Sequence, residues 1–290
     1  VFTSSSSPGI ALMSEAISYL AGAELPTVLI NVVRCGPGLG GILPSQGDYF
    51  NATKGGGHGD YRCLVLAPST VQEAVDLTML AFDLADEYRN PVFVIGDGLI
   101  GQMMEPVEFP ANEADHRHAV DKSGWATTGA KGRGPHYLTS LFLDPVAFEV
   151  HTRKLAAKYR HMAEHQVRVE TYNLEHDPEF VIVAYGTVAR ICKTAIDDLK
   201  ATGVEVGLVR PITLYPFPEQ ALRAVATAPS TRGLLVVEMS LGQMLEDVER
   251  VTRGARPVEF FGRQGGVVPS PEEVSAAIQE FAARLSTHAA

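Results

Sequence analysis

Short apolar runs alternate with amphipathic segments along most of this chain. The runs are rich in β-branched and aliphatic residues without polar alternation, which is typical of parallel strands covered by helices on both faces. The intervening segments place apolar residues at helical spacing. This alternation predicts an α/β protein built on parallel sheets. The predicted strands are 27–33, 63–67, 91–95, 180–184, 204–209, 234–238 and 258–261.

Capping sequences mark where several of the predicted helices begin. Ser7 followed by Pro8 predicts a helix whose apolar positions continue at helical spacing to Ala21. The segments 69–72 and 270–273 are interpreted as capping boxes, which satisfy the free N–H groups of a first helical turn. Each of these helices therefore has a defined start beside a predicted strand.

The pattern divides the chain into two α/β units. Periodicity weakens between Gly96 and Asp177, where we predict an extended connector with one helix over about 150–166. Alternation then resumes, with Thr187 predicted to cap the next helix. We therefore expect a first domain at 1–170, which includes the connector, and a flavodoxin-like domain at 178–290.

The strongest candidate for a ligand site follows the strand 27–33. Arg34 ends that strand, and the loop after it runs Gly36-Pro37-Gly38-Leu39-Gly40. Glycines let backbone approach a ligand closely, and a guanidinium can bind a carboxylate through two hydrogen bonds. Ligands of open α/β sheets collect at the carboxyl ends of strands. A turn between regular elements and a solvated surface arginine remain the alternatives.

Composition narrows the class of protein. The formal net charge of −10 argues against a nucleic-acid or anionic-membrane partner. Three cysteines are too few and too scattered for a disulfide framework, which indicates a reducing compartment. Neither cysteines nor histidines stand at the spacing of metal ligands, so no metal site is predicted. With no long apolar run and no signal sequence, we expect a soluble cytoplasmic protein.

A set of sequence blocks resembles a known family. The blocks are Arg34 with Gly36–Gly40, Gly55–Asp60, Leu66–Pro68, Gly96–Gly98 with Glu105-Pro106, Arg210–Pro218, Glu238–Met244 and Phe261–Gly266. Their order and spacing closely resemble the alpha subunit of 2-oxoacid:ferredoxin oxidoreductases along essentially the whole chain. Within that family the chain looks most like the 2-oxoisovalerate and 2-oxoglutarate branch.

The resemblance implies a thiamine-diphosphate enzyme assembled from several chains. Residues 1–170 would form a pyrimidine-type thiamine-diphosphate-binding domain, incomplete at its amino end, and 178–290 a transketolase C-terminal-type domain. A beta subunit would carry the diphosphate and Mg²⁺ site, beside gamma and ferredoxin-like delta subunits. The implied reaction is coenzyme A-dependent oxidative decarboxylation of a 2-oxoacid, with electrons passing through [4Fe-4S] clusters of partner subunits to ferredoxin. The chain alone would be inactive.

Site roles follow from the same resemblance. Arg34 matches the family arginine that meets the 2-oxoacid, and the glycine loop supplies its surroundings. Ser45 falls near a position where relatives carry a substrate-facing hydroxyl. His58, in the second glycine cluster, would face substrate or coenzyme A, with a solvated loop histidine as the alternative.

One departure from the family concerns the amino end. Relatives carry a threonine in a Tyr-Pro-Ile-Thr-Pro run and a glutamate that protonates the aminopyrimidine, both upstream of the segment equivalent to 3–6. Neither is present here, and the chain starts without methionine, so we expect it to be amino-terminally truncated. A transketolase-like or decarboxylase-type thiamine enzyme subunit without electron transfer, and a non-catalytic remnant subunit, are the alternative functions.

Overall fold

The computed structural model describes residues 1–109 and 120–287, which form two five-stranded sheets with helices against them. The strands are β1 (Phe2–Ser5), β2 (Thr27–Val33), β3 (Leu64–Leu66), β4 (Pro91–Asp97), β5 (Val169–Tyr172), β6 (Phe180–Val183), β7 (Val206–Pro211), β8 (Thr213–Tyr215), β9 (Gly233–Glu238) and β10 (Val258–Gly262). The α-helices are α1 (Ser7–Leu12), α2 (Ser14–Gly22), α3 (Val71–Tyr88), α4 (Pro145–His165), α5 (Gly186–Ala201), α6 (Glu219–Thr227), α7 (Gln243–Thr252) and α8 (Pro271–Thr287).

The sheets are mostly parallel, as the apolar strand pattern predicts. The first sheet has the order β1-β2-β4-β3-β8 and the second the order β10-β9-β6-β7-β5. Among these pairs only β3 with β8 and β5 with β7 are antiparallel. In the second sheet the parallel strands follow the arrangement of flavodoxin-like folds, with β6 between β7 and β9. The predicted α/β fold class is confirmed.

Two of the strands outside the predicted set, β5 and β8, join the halves of the chain. β5 precedes residue 178 yet pairs with β7, so that Glu170 lies opposite Arg210. β8 belongs to the carboxyl half yet pairs with β3 of the first sheet, with Tyr215 opposite Val65. The predicted division into 1–170 and 178–290 thus has strand pairing across it and stays a prediction.

Helix starts agree with the sequence in part. The capping box of α3 begins one residue later than the predicted 69–72, because Thr70 accepts a hydrogen bond from the Glu73 N–H. The predicted box at 270–273 is confirmed, with Ser270 accepting from the Glu273 N–H. The prediction that Thr187 caps α5 is wrong, because it lies inside the first turn and Tyr185 occupies the cap position. The first predicted helix is two helices, α1 and α2, separated at Met13. Ser7 is not its cap, because Ser6 occupies the cap position and Ser7 is the first helical residue.

One hydrophobic core extends through both halves of the chain. The main cluster of buried side chains joins residues of β2, β3 and β4 to residues of α6, β9 and α7. A second cluster fills the space between the second sheet, α5 and α8. Within the described residues, no helix is both long and apolar enough to cross a membrane.

Candidate functional site

A cavity of about 510 Å³ lies where the carboxyl ends of strands from both sheets meet. β2 contributes Arg34 and the loop after it, and the connection after β1 contributes Ser7. From the second sheet, the segments that follow β9 and β10 contribute Ser240 and Gln264. Ligands of open α/β sheets bind at this edge, so the fold itself favours a site here.

Arg34 is held by its backbone, which leaves its side chain for other partners. Its N–H donates to the Ser7 hydroxyl over 3.1 Å, and the same hydroxyl lies 3.2 Å from the Arg34 carbonyl oxygen. The side chain lines the cavity, and its Nε is buried without a hydrogen-bond partner among the described residues. A buried donor without a partner costs about 1–3 kcal/mol, which a bound acceptor would recover.

The glycine loop forms a short flap over the cavity, closed at its base. Arg34 bridges Pro44 in antiparallel fashion, and the Cys35 N–H donates to the Leu43 carbonyl oxygen over 3.0 Å. Gly40 has a φ of +54°, and a Cβ there would overlap the Cys35 carbonyl group. The loop therefore needs glycine to fold back on itself.

Hydrogen bonds join the cavity wall contributed by the second sheet to residues 46 and 47, which follow the flap. Gln46 is buried, accepts a hydrogen bond from the Met239 N–H over 2.9 Å, and donates to the Tyr185 carbonyl oxygen over 2.9 Å. Gln243 donates to the Gly47 carbonyl oxygen over 2.7 Å. These bonds hold the two sheets in one position around the cavity.

Glu238 holds in place the segment after β9 that lines the cavity. Its side chain is fully buried and accepts hydrogen bonds from the Ser240 hydroxyl and from the N–H groups of Met244 and Leu245 at the start of α7. Burial raises the pKa of Glu238 above its usual value despite these donors. This carboxyl group is therefore a structural anchor of the segment 239–243, beneath the cavity lining.

The predicted site residues divide between two cavities. Arg34, Gly36, Pro37, Gly38 and Ser45 line the cavity described above, while Gly40 lies in the flap. Ser45 uses its hydroxyl within the protein, accepting from the Gly47 N–H over 3.0 Å and donating to the Met239 carbonyl oxygen over 3.3 Å.

His58 lies in another cavity, of about 500 Å³, between α2 and α4. There Ser18 donates to its carbonyl oxygen over 2.7 Å. The structure thus places His58 and Arg34 in separate cavities, and the contact of His58 with substrate or coenzyme A stays a prediction.

Other residues of the site were not predicted as functional. Ser7 was interpreted only as a helix cap, and Gln243 and Gln264 stand about 200 residues from Arg34 in the sequence. The signal that could have found the last two was their presence in the family blocks 238–244 and 261–266. Asp48, which also lines the cavity, accepts a hydrogen bond from buried Asn31 over 2.9 Å.

The charge of the lining limits what this cavity can bind. Arg34 is its cation and Asp48 its carboxylate, and the remaining lining is neutral. Across residues 1–109 and 120–287, no group of three or more histidine, cysteine or acidic side chains could hold a metal ion. The lining suits an anion at Arg34 and a neutral ring, whereas nothing in it suits a diphosphate with its metal.

Comparisons with known proteins agree with this architecture. Residues 1–174 match the family model described as pyruvate flavodoxin/ferredoxin oxidoreductase, thiamine diP-bdg. Residues 178–274 match pyruvate:ferredoxin oxidoreductase core domain II.

Curated relatives cover nearly the whole chain. Ketoisovalerate oxidoreductase subunit VorB of Methanothermobacter marburgensis is 47% identical over 97% of this chain and 78% of that protein. The 2-oxoglutarate synthase subunit KorA of Methanocaldococcus jannaschii is 35% identical over 95% of this chain and 79% of that protein.

Solved structures show the same fold. A 2-oxoglutarate:ferredoxin oxidoreductase from Magnetococcus marinus superimposes with a TM-score of 0.81 at 24% identity, covering 96% of this chain and 52% of that one. The present chain thus spans about half the length of that neighbour. Two family models match the present chain, and it is 47% identical to VorB over nearly its whole length. Together with the fold, these matches show that the chain belongs, as a subunit, to the thiamine-diphosphate-dependent 2-oxoacid:ferredoxin oxidoreductases.

Proposed function

We propose that Arg34 binds the carboxylate of a 2-oxoacid in the coenzyme A-dependent oxidative decarboxylation catalysed by an assembled enzyme. The observation that carries this proposal is the buried, unpartnered Nε of Arg34 in a cavity between two sheets. A carboxylate that leaves water needs a compensating charge and hydrogen-bond donors, and a guanidinium supplies both.

The neighbouring residues position this group and shield it. Ser7 fixes the Arg34 backbone, and the segment Gly36–Gly40 brings backbone close to the bound acid. Leu39 and Ile42 of the flap are largely exposed, at 87% and 82%. We propose that these two side chains contact a partner subunit, which excludes water from the site once the enzyme is assembled.

The cofactor would be shared with a partner subunit. When bound, thiamine diphosphate stabilises the carbanion that decarboxylation leaves. The largely neutral lining suits its ring end, and Asp48 of that lining would accept a hydrogen bond from the amino group of the pyrimidine. The absence of phosphate-binding and metal-binding groups from this lining supports placing the diphosphate and Mg²⁺ in a beta subunit.

A 2-oxoacid with an uncharged, for example branched, side chain fits this chain better than a dicarboxylic one. Arg34 is the only cation that lines the described cavity, so a second carboxylate would find no second guanidinium or ammonium there. The identity of 47–48% to VorB proteins, against 34–35% to KorA proteins, supports the same choice. We therefore propose 2-oxoisovalerate as the substrate type.

The remaining partners follow from the family. We propose beta, gamma and ferredoxin-like delta subunits, [4Fe-4S] clusters in those partners, and ferredoxin as electron acceptor in the cytoplasm. The three cysteines of this chain are buried and free, which is consistent with clusters held elsewhere. Ferredoxin reduction by the assembled enzyme separates this proposal from a transketolase-like subunit and from a non-catalytic remnant.

Steady-state kinetics of Arg34 variants test the proposal. In the assembled enzyme, Arg34→Ala should lower kcat/KM for the 2-oxoacid by about 30-fold or more, because losing a buried charge pair costs about 2–5 kcal/mol. Arg34→Lys keeps the charge without the bidentate geometry, so its kcat/KM for the 2-oxoacid should lie between those of wild type and Arg34→Ala.

The KM for coenzyme A should change little in both variants. Arg232→Ala, at an exposed ion pair, is the matched control and should behave as wild type. Equal losses for the 2-oxoacid and for coenzyme A would refute the assignment.

A further inference from the structure

A third cavity, larger than those that hold Arg34 and His58, lies away from both. It measures about 790 Å³ and is bounded by α4, the connection between β8 and α6, and α7. A one-turn π-helical segment, Asn51–Gly55, forms another side. The cavity shares no lining residue with the Arg34 cavity. Its volume lies in the range of small-molecule sites, roughly 300–1,000 Å³.

The cavity carries cations in excess, although the chain as a whole is acidic. Lys54 and Arg250 neutralise Asp247, at 2.6 and 3.1 Å, and Arg250 also binds Glu219 at 2.8 Å. Asp247 accepts a further hydrogen bond from buried Tyr49, and these partners hold its pKa below the usual value even though burial opposes them. The two cations and the two carboxylates of this network are therefore all paired with one another.

Two guanidinium groups of the lining remain outside the network. Arg62 donates only to the carbonyl oxygen of Tyr61, and Arg160 has no hydrogen bond or ion pair among the described residues. Glu164 is the remaining carboxylate of the lining and forms no ion pair with either arginine in the described structure. Both guanidinium groups are free to bind an anion with several oxygens.

The floor between these charges is apolar. Leu214 and Phe217 are buried, Tyr215 is half-buried, and Val167 exposes 41% of its surface. Tyr215 and Arg62 both line this cavity, and the charge of Arg62 opposes the rise that burial causes in the pKa of Tyr215. A cavity whose lining combines an aromatic ring with guanidinium groups suits a flat, apolar group that carries negative charge at one end.

We propose that this cavity is a binding site for a nucleotide-sized organic phosphate, held by Arg62 and Arg160 with its ring against Tyr215. Two unpaired guanidinium groups match the several oxygens of a diphosphate better than a single carboxylate. The inference concerns a site separate from the 2-oxoacid site and stands whether or not Arg34 binds substrate.

Equilibrium binding of ADP to the complete enzyme tests the inference. The wild-type enzyme should bind one more ADP per copy of this chain than an Arg62→Ala/Arg160→Ala variant, measured by calorimetric stoichiometry. At that site the double substitution should raise the Kd at least about 30-fold, because two charge-assisted contacts are lost. Adenosine and inorganic pyrophosphate should each bind there at least about 10-fold more weakly than ADP, since each lacks one half of the recognised ligand.

Controls separate this site from others in the enzyme. Arg34→Ala, in the other cavity, should leave the ADP stoichiometry unchanged. Arg160→Glu serves if the double variant fails to assemble, because Arg160 is exposed and unpaired within the described structure, and it should abolish the extra equivalent. Equal stoichiometry in wild type and variants would overturn the inference, and so would equal affinity for pyrophosphate and ADP, which would indicate only a nonspecific anion site.

Discussion

At the scale of single residues, Gly40 decides whether the flap can fold over the cavity. Its φ of +54° is costly for residues with a Cβ, and the Cys35 carbonyl group occupies the space that a Cβ would need. Gly38 has a similar φ of +69°, but a Cβ at this position would have no atom within 4 Å. Comparing substitutions at the two positions therefore separates the effect of backbone strain from that of a steric clash.

Substitution of these glycines should affect the site unequally. Gly38→Ala adds only the left-handed strain, about 1 kcal/mol, and should lower kcat/KM for the 2-oxoacid by less than about 10-fold. Gly40→Ala adds the clash with Cys35 and should displace the flap, with a loss of more than about 30-fold. Assays of both variants in the assembled enzyme check this, and similar losses would show that the clash is unimportant.

The position of Arg34 at a cavity could be predicted from sequence because a strand, an arginine and glycines are adjacent in the chain. The pairing of Gln243 with Gly47 could not be predicted from local sequence, since it spans 196 positions, although Gln243 lies in one of the family blocks. His58 is close to Arg34 in the sequence, yet it lines a different cavity between α2 and α4, which the sequence pattern did not indicate.

At the scale of elements, Arg210 joins α3 to the second sheet. It lies on β7 with 2% of its side chain exposed, binds both Glu73 carboxylate oxygens at 2.6 and 3.0 Å, and pairs with Glu170 on β5. Burial opposes ionisation of Glu73 and Glu170, but their cationic partners dominate and hold both pKa values below the usual value.

Removing this arginine should destabilise the protein in a pH-dependent way. Arg210→Met should lower the free energy of unfolding at pH 7 by about 2–4 kcal/mol, less than for a fully buried pair because both carboxylates are about one-third exposed. Carboxylates with lowered folded pKa values stabilise above their unfolded pKa, about 4.3, and lose this contribution as pH falls through the folded pKa. The difference between wild type and variant should therefore shrink below about pH 4.

Urea unfolding at several pH values measures this effect. Arg232→Met removes the exposed pair with Glu179 and should cost less than about 1 kcal/mol at any pH. A cost for Arg210→Met that equals this control, or that does not depend on pH, would contradict the proposed role of the cluster.

The strands that were predicted and those that were missed differ in physical character. β2, β4 and β9 are covered on both faces, so continuous apolar runs reveal them. β5 and β8 have only four and three residues and pair antiparallel at sheet edges, where pairing to a distant strand decides their conformation. Local sequence carries little of that information.

At the scale of the whole molecule, the two sheets form one cooperative structure. β8 crosses into the first sheet, the main core contains side chains from both halves, and buried Gln46 bonds to Tyr185 and Met239. The chain should therefore unfold in a single thermal transition, with calorimetric and van't Hoff enthalpies equal. Two resolved transitions, at separate temperatures for 1–170 and 178–290, would show that the halves are independent.

The central claim is that Arg34 receives the carboxylate of the 2-oxoacid, and a structure of the assembled enzyme with 2-oxoisovalerate bound tests it most directly. We predict a substrate carboxylate oxygen within about 2.7–3.2 Å of the Arg34 guanidinium nitrogens, with the buried Nε engaged. An Arg34 side chain paired instead with a partner subunit's carboxylate, and the 2-oxoacid bound elsewhere, would contradict the claim.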